Sequence, residues 1–128
     1  MFTAPQVNIY SADVLRSVAF YCGFGFRETF RTPRDGVPIH VELRLDGFTI
    51  GIASAASAVS DHGLDLGGTG RGMELVLWTD DTDGAYARLV AAGARSLSAP
   101  KDWLGNLRVA WIADPDGNPV ELVQRRRT

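Results

Sequence analysis

Apolar and polar residues alternate through Gln6-Val7-Asn8-Ile9-Tyr10, placing Val7 and Ile9 on one face, the period-two pattern of a short strand. The pattern returns 68 residues later as Glu74-Leu75-Val76-Leu77-Trp78, with Leu75 and Leu77 in the matching places. Each strand runs into an acidic helix start, Ser11-Ala12-Asp13 in one copy and Thr79-Asp80-Asp81 in the other. An Asp there can accept from the free N–H groups of a first helical turn and complement the helix dipole. The spacing predicts a first helix over about 14–22 with Leu15, Val18 and Cys22 inward. It predicts a second over about 82–92 with Tyr86, Leu89 and Val90 inward. Gly25 and Gly93 keep the 68-residue offset, and Gly93 is placed to close its helix in a left-handed conformation. Three further strands are expected in each half, over about 26–32, 39–45 and 48–53, and about 95–98, 107–113 and 119–123. Asp46-Gly47 is a two-residue hairpin signal, and Asp114-Pro115-Asp116-Gly117-Asn118 supplies a longer turn. Both halves therefore read β-α-β-β-β. The Ser-, Ala- and Gly-rich stretch from Ser54 to Gly72 shows neither period and reads as a linker.

Composition narrows the classes. At 128 residues the chain suits one domain (1–128), with module 1 over about 4–54, a linker over about 55–72 and module 2 over about 73–124. A hydrophobic share of 45% with 22% charged residues is that of a globular protein and not of a disordered one. The net charge of −2 gives no general attraction to nucleic acid or anionic lipid, and Arg125-Arg126-Arg127 reads as a solvated end. Cys22 is the single cysteine, which fits a reducing compartment, and it reads as helix packing rather than as a catalytic thiol. No apolar run approaches a membrane span, and no secretory pattern opens the sequence; a cytoplasmic location is expected.

Asp13-Val14-Leu15-Arg16-Ser17-Val18-Ala19-Phe20-Tyr21, followed by Phe24-Gly25-Phe26, resembles the first module of the glyoxalase and bleomycin-resistance proteins. Asp114-Pro115-Asp116-Gly117-Asn118-Pro119-Val120-Glu121-Leu122 resembles the closing hairpin of the same vicinal-oxygen-chelate superfamily and is its most specific mark. One departure is a segment one residue short between Phe20-Tyr21 and Phe24-Gly25-Phe26. The resemblance covers essentially the whole chain. It implies an α+β fold in which two βαβββ modules form a cupped, eight-stranded mixed sheet with helices outside, the cup holding a ligand or a metal.

In metal-dependent members of that superfamily four side chains, mostly His and Glu, bind a divalent ion. The resemblance maps those positions onto Gln6, Gly51, Glu74 and Glu121. None is a His, and one has no side chain, so neither the enediolate-stabilising set nor the two-His, one-carboxylate iron set is present. Gln6, Glu74 and Glu121 remain as oxygen ligands for a hard divalent ion, and Glu42, opposite Gly51 across the hairpin, could stand in for the missing one. Alternatively Glu42 pairs with Arg44 or solvent. His40 shares the face of Glu42 and reads either as a donor to a ligand or as an ordinary strand histidine. His62 reads as exposed linker. Gly67, Gly68, Gly70 and Gly72 lack the Lys-Ser/Thr of a phosphate loop and read as linker.

Alternation puts Trp78 on the face of Glu74, and the closing hairpin puts Trp111 on the face of Glu121 together with Val109 and Ala113. Trp103 lies in the loop 101–105 and resembles a position near the mouth of the cup. With Tyr10, these aromatic residues would surround a cleft whose opposite wall carries Gln6, Asn8, His40, Glu42, Arg44 and Thr49. An apolar cleft with a few convergent polar groups is the usual form of a small-molecule site. The expectation is a binding protein of the bleomycin-resistance type that needs no metal cofactor and sequesters an aromatic or heterocyclic compound, including antibiotic sequestration. The alternatives are a metal-dependent lyase or isomerase of the glyoxalase type and a regulatory module with a closed cup. A small molecule and a second copy of the chain, as a homodimer, are the expected partners, with no nucleic acid and no membrane.

Overall fold

The repeat is visible in the element order. A computed structural model describes residues 3–67 and 73–126. Its strands and helices are β1 (Val7–Ser11), α1 (Val14–Cys22), β2 (Arg27–Thr32), β3 (His40–Leu45), β4 (Phe48–Ser54) and α2 (Ala55–His62). The second half continues as β5 (Leu75–Trp78), α3 (Thr82–Ala91), β6 (Arg95–Trp103), β7 (Leu107–Ala113) and β8 (Pro119–Arg125). The eight strands make two four-stranded mixed sheets of one topology, β1-β4-β3-β2 and β5-β8-β7-β6. The first strand of each runs parallel to the last, and the other neighbours are antiparallel. The chain falls into two compact units divided after Gly68.

Local chemistry sets the helix ends. The Asp13 carboxylate accepts from the Arg16 N–H at 3.2 Å, and the Asp81 carboxylate from the Gly84 N–H at 3.0 Å. Gly25 and Gly93 have φ of +104° and +107°, a conformation costly for any residue with a Cβ. Asp46 and Gly47 both have positive φ, as a two-residue hairpin of primed type requires.

In unit 1 the core is Val41, Leu43, Ile50 and Ile52, fully buried on the sheet face that packs against α1. In unit 2 it is Ala110, Ile112, Val120 and Leu122, on the face that packs against α3. Each such Ile, Leu or Val adds about 1.5–3 kcal/mol by leaving water.

Several expectations are corrected. The segment read as a linker contains α2, whose N-cap Ser54 accepts from the Ser57 N–H at 3.1 Å and whose end is closed by Gly63 at φ +65°. Small residues hid it, because an eight-residue Ala/Ser helix buries little beyond Ala58 and shows no apolar stripe. Gly68, Gly70, Gly72 and Arg127 lie outside the described residues. In α1 the inward residues are Val14, Ser17, Val18 and Tyr21, while Leu15 and Cys22 are exposed. The face is turned because the Ser17 hydroxyl bonds the buried Ser11 hydroxyl at 2.7 Å and Tyr21 fills the space beside Phe26. In α3 the buried residues are Thr82 and Ala85, and Val90 is exposed. Thr82 is drawn inward by two bonds, its hydroxyl donating to the Arg108 carbonyl and its N–H to Gln124 Oε1.

Candidate functional site

In unit 1 the strand register brings the polar candidates together. Asn8 on β1 and Glu42 on β3 flank Gly51 on β4. Gln6 Nε2 donates to Asn8 Oδ1 at 2.9 Å and reaches Glu42 Oε2 at 3.4 Å. His40 Nε2 lies 3.3 Å from the same carboxylate oxygen, a distance at which a protonated Nε2 donates to it. Glu42 therefore pairs with His40 and Gln6, not with Arg44. A Cβ on Gly51 would collide with Asn8 Oδ1 and come within 2.8 Å of His40 Cε1. The missing side chain is thus the space above β4 that side chains from β1 and β3 enter.

Two candidates stand apart from this cluster. Arg44 donates to Thr49 Oγ1 at 3.1 Å, nearer the hairpin end of the face. Tyr10 is exposed on the same face and belongs to unit 1, whereas the three tryptophans belong to unit 2. A residue missed from sequence is Phe30, whose ring centroid lies 6.3 Å from that of His40.

In unit 2 the corresponding position opposite the last strand is Trp111, paired with Glu121. Trp111 Nε1 donates to Glu74 Oε2 at 2.7 Å. Burial, and then the nearby charge of Glu74, push the Glu121 carboxyl above its ordinary value. Trp78 shares this face through the β5–β8 register and is 59% exposed. Its ring carries Arg125 Cζ 5.2 Å from the centroid, and Lys101 Nζ lies 5.7 Å from the centroid of Trp111. Both distances fall within the range of cation–π attraction.

Two site assignments change in unit 2. Val109 has the expected parity but is fully buried, so it fills core instead of lining an open surface. Trp103 is not in a loop: it ends β6, paired with Leu107 and half-exposed. The strand runs past the expected end at Ser98 through two register shifts that absorb the irregularity around Pro100. Lys101 and Arg125 were missed for that reason and because β8 continues beyond Val123. On the opposite face of β7, Arg108 holds Asp83 of α3 with two hydrogen bonds, at 2.8 and 3.0 Å.

Elsewhere, His62 ends α2 at the surface. Cys22 has its thiol pKa pushed up by partial burial and by Glu28, which disfavours the reactive thiolate. A groove of about 650 Å³ follows the edge strand β2, lined by residues including Glu28, Phe30, Arg31 and Arg34. None of the sequence candidates lines it. Among the described residues no helix is long and apolar enough to cross a membrane.

Residues 3–122 match the glyoxalase/bleomycin resistance protein/dioxygenase superfamily. An uncharacterized protein of Mycobacterium bovis is 32% identical over 118 residues, spanning 88% of this chain and 76% of that protein. The crystal structure of a glyoxalase/bleomycin resistance protein/dioxygenase family enzyme from Burkholderia phytofirmans is similar with a TM-score of 0.80. Its identity is 25%, covering 94% of this chain and 96% of that one. Lactoylglutathione lyase from Agrobacterium tumefaciens, with a TM-score of 0.70 and 19% identity over 95% of this chain and 92% of its own, shares the fold. The repeat, the twin sheets and the match over nearly the whole length agree: this chain belongs to the glyoxalase/bleomycin resistance protein/dioxygenase superfamily.

Proposed function

We propose that the chain binds a planar aromatic or heterocyclic small molecule without a metal ion, a reading that includes antibiotic sequestration. The observation that carries it is Trp111, fixed by its bond to Glu74 on the face that exposes Trp78 and carries Glu121. An oriented indole and a second, accessible one on the same sheet face each offer a stacking surface, worth about 0.5–1.5 kcal/mol per aromatic pair beyond buried area. The hydrogen-bonded set Gln6, Asn8, His40 and Glu42 offers a polar surface in unit 1.

A metal-dependent lyase or isomerase is less well supported by the donor set. Gly51 brings no ligand atom, and Asn8 Oδ1 and His40 Cε1 occupy the space where a side chain would begin. Glu74 already accepts the Trp111 N–H. These residues do not fit a four-ligand divalent centre. The same proposal places the protein in the cytoplasm as a homodimer. A single cysteine suits a reducing compartment, and closed two-fold pairs are the commonest oligomers. Light scattering at micromolar concentration should give a dimer mass; a monomer mass contradicts that part.

Purified, dialysed protein should hold no stoichiometric transition metal; one equivalent of zinc, nickel or iron overturns the metal-independent reading. A screen of planar compounds by tryptophan fluorescence should return a binder. For that binder, Trp111→Ala should weaken affinity by at least about 2 kcal/mol, the size of a hot-spot truncation. Arg108, held by Asp83 on the other face of the sheet, gives the control: Arg108→Gln should leave affinity nearly unchanged. A folded Trp111 variant that binds as tightly as the parent sinks the assignment.

A further inference from the structure

Resting on that reading, we propose that the tryptophan face of unit 2 selects a planar organic cation, and that Lys101 and Arg125 compete with it for the two ring faces. The arrangement shows which charge these rings accept. Lys101 lies over Trp111 and Arg125 over Trp78, so each indole already receives a cation within one sheet face. Apart from those two displaceable cations, the charged groups beside Trp111 are carboxylates. Glu74 accepts the Trp111 N–H, and Glu121 stands directly across from Trp111. A carboxylate bonded to the indole N–H also polarises the ring, making its face more attractive to a cation. Once Lys101 and Arg125 have left the rings, an anionic ligand would meet Glu74 and Glu121, whereas a neutral one would forgo the attraction of both.

Displacing the resident cations is easy for this protein. Lys101 and Arg125 are exposed and carried on long, flexible side chains, so their charged ends return to water with little loss. A ligand cation on either ring replaces one positive charge by another and leaves the local balance against two carboxylates unchanged. The polar cluster of unit 1 has no tryptophan and only one carboxylate among Gln6, Asn8, His40 and Glu42, so the charge preference resides in unit 2.

Three two-ring probes of different charge test this on the full chain by calorimetry at mildly alkaline pH: N-methylquinolinium, neutral quinoline and anionic 2-naphthoate. The cation should bind about tenfold tighter than quinoline, equivalent to ~1.4 kcal/mol, with 2-naphthoate the weakest. Glu74→Gln keeps an acceptor for the indole N–H and removes the charge. It should weaken N-methylquinolinium several-fold while changing quinoline less than about twofold, and Glu121→Gln should act in the same direction. Lys101→Met should tighten both the cation and quinoline, because it clears a ring face; tightening of the cation alone overturns the competition by Lys101. Equal affinity for all three probes, or equal losses for cation and neutral in Glu74→Gln, overturns the charge selectivity and leaves the binding reading intact. Failure of every probe to bind parent and variants that fold normally overturns both.

Discussion

Across from the last strand of its sheet, unit 1 sets Glu42 against Gly51, and unit 2 sets Trp111 against Glu121. The backbones are the same four strands in the same order, yet bulk and charge are exchanged between the paired positions. In unit 1 the small residue lies on the last strand, so polar side chains from β1 and β3 close over it. In unit 2 the last strand keeps a carboxylate, and the large ring on its neighbour is tied down by the residue just before β5. The turns differ too. Asp46-Gly47 closes its hairpin by backbone conformation, whereas Asp114 closes the other with a buried carboxylate. That carboxylate accepts from the N–H groups of Asp116 and Asn118 and from Asn118 Nδ2, at 2.7–2.9 Å. A duplicated scaffold can therefore hold its geometry while each copy reaches it by different chemistry.

The turns offer the largest test of that difference. Asp114→Ala strands backbone donors in a buried turn and should cost about 3 kcal/mol in urea unfolding. Asp46→Ala leaves a hairpin whose strain is only that of a left-handed alanine, and should cost about 1 kcal/mol. Equal losses would erase the distinction. Next, Gly51→Ala should cost about 1–2 kcal/mol and shift the NMR signals of His40, since the new methyl meets Asn8 first. Adding Asn8→Ala should recover most of that stability; no recovery would mean the crowding lies elsewhere. A smaller effect is expected for Trp111→Phe, which deletes the bond to Glu74 but keeps most of the ring, at about 1 kcal/mol.

The smallest effect is a pH dependence in unit 2, at the pair between Asp83 of α3 and Arg108 of β7. Hydrogen bonds from Arg108, and then its charge, hold the Asp83 carboxyl below its ordinary value. A carboxylate lowered in the folded state lends stability that is present above its unfolded pKa and lost as pH falls through its folded one. Asp83→Asn should therefore lower the unfolding midpoint slightly at neutrality, flatten its acid limb, and converge with the parent below the folded-state pKa. An unchanged acid limb would show that the pair contributes nothing measurable.

Much of this was legible in the residues. The 68-residue repeat, α1, the Asp46-Gly47 hairpin and the facing of Glu42 and Gly51 all follow from periodicity and turn chemistry, which are local. The inward face of α1 was not, because Ser17 is buried by a hydroxyl on another element and no hydropathy scale contains that partner. Helix α2 escaped because alanine and serine leave no stripe to read. Val109 was placed on the right face but its burial was not, since alternation gives direction and not depth. Lys101 and Arg125 were missed because both strands outrun their apolar pattern, β6 across a proline and two register shifts. The candidate site was thus readable as a set of facing residues and unreadable wherever one element's register decides what covers another.

The Asp114–Asn118 turn has a further consequence for how relatives of this chain are found. Its letters are the loudest signature in the sequence, and every one of the bonds made by Asp114 described above is spent on closing a hairpin. Those bonds build the turn and engage none of the site residues, so the motif reports the shape of the chain and not its occupation. A search keyed to it gathers proteins of one shape and many occupations. Sorting those occupations requires comparing the quieter positions, beginning with whichever residue each descendant carries at 51 and 121.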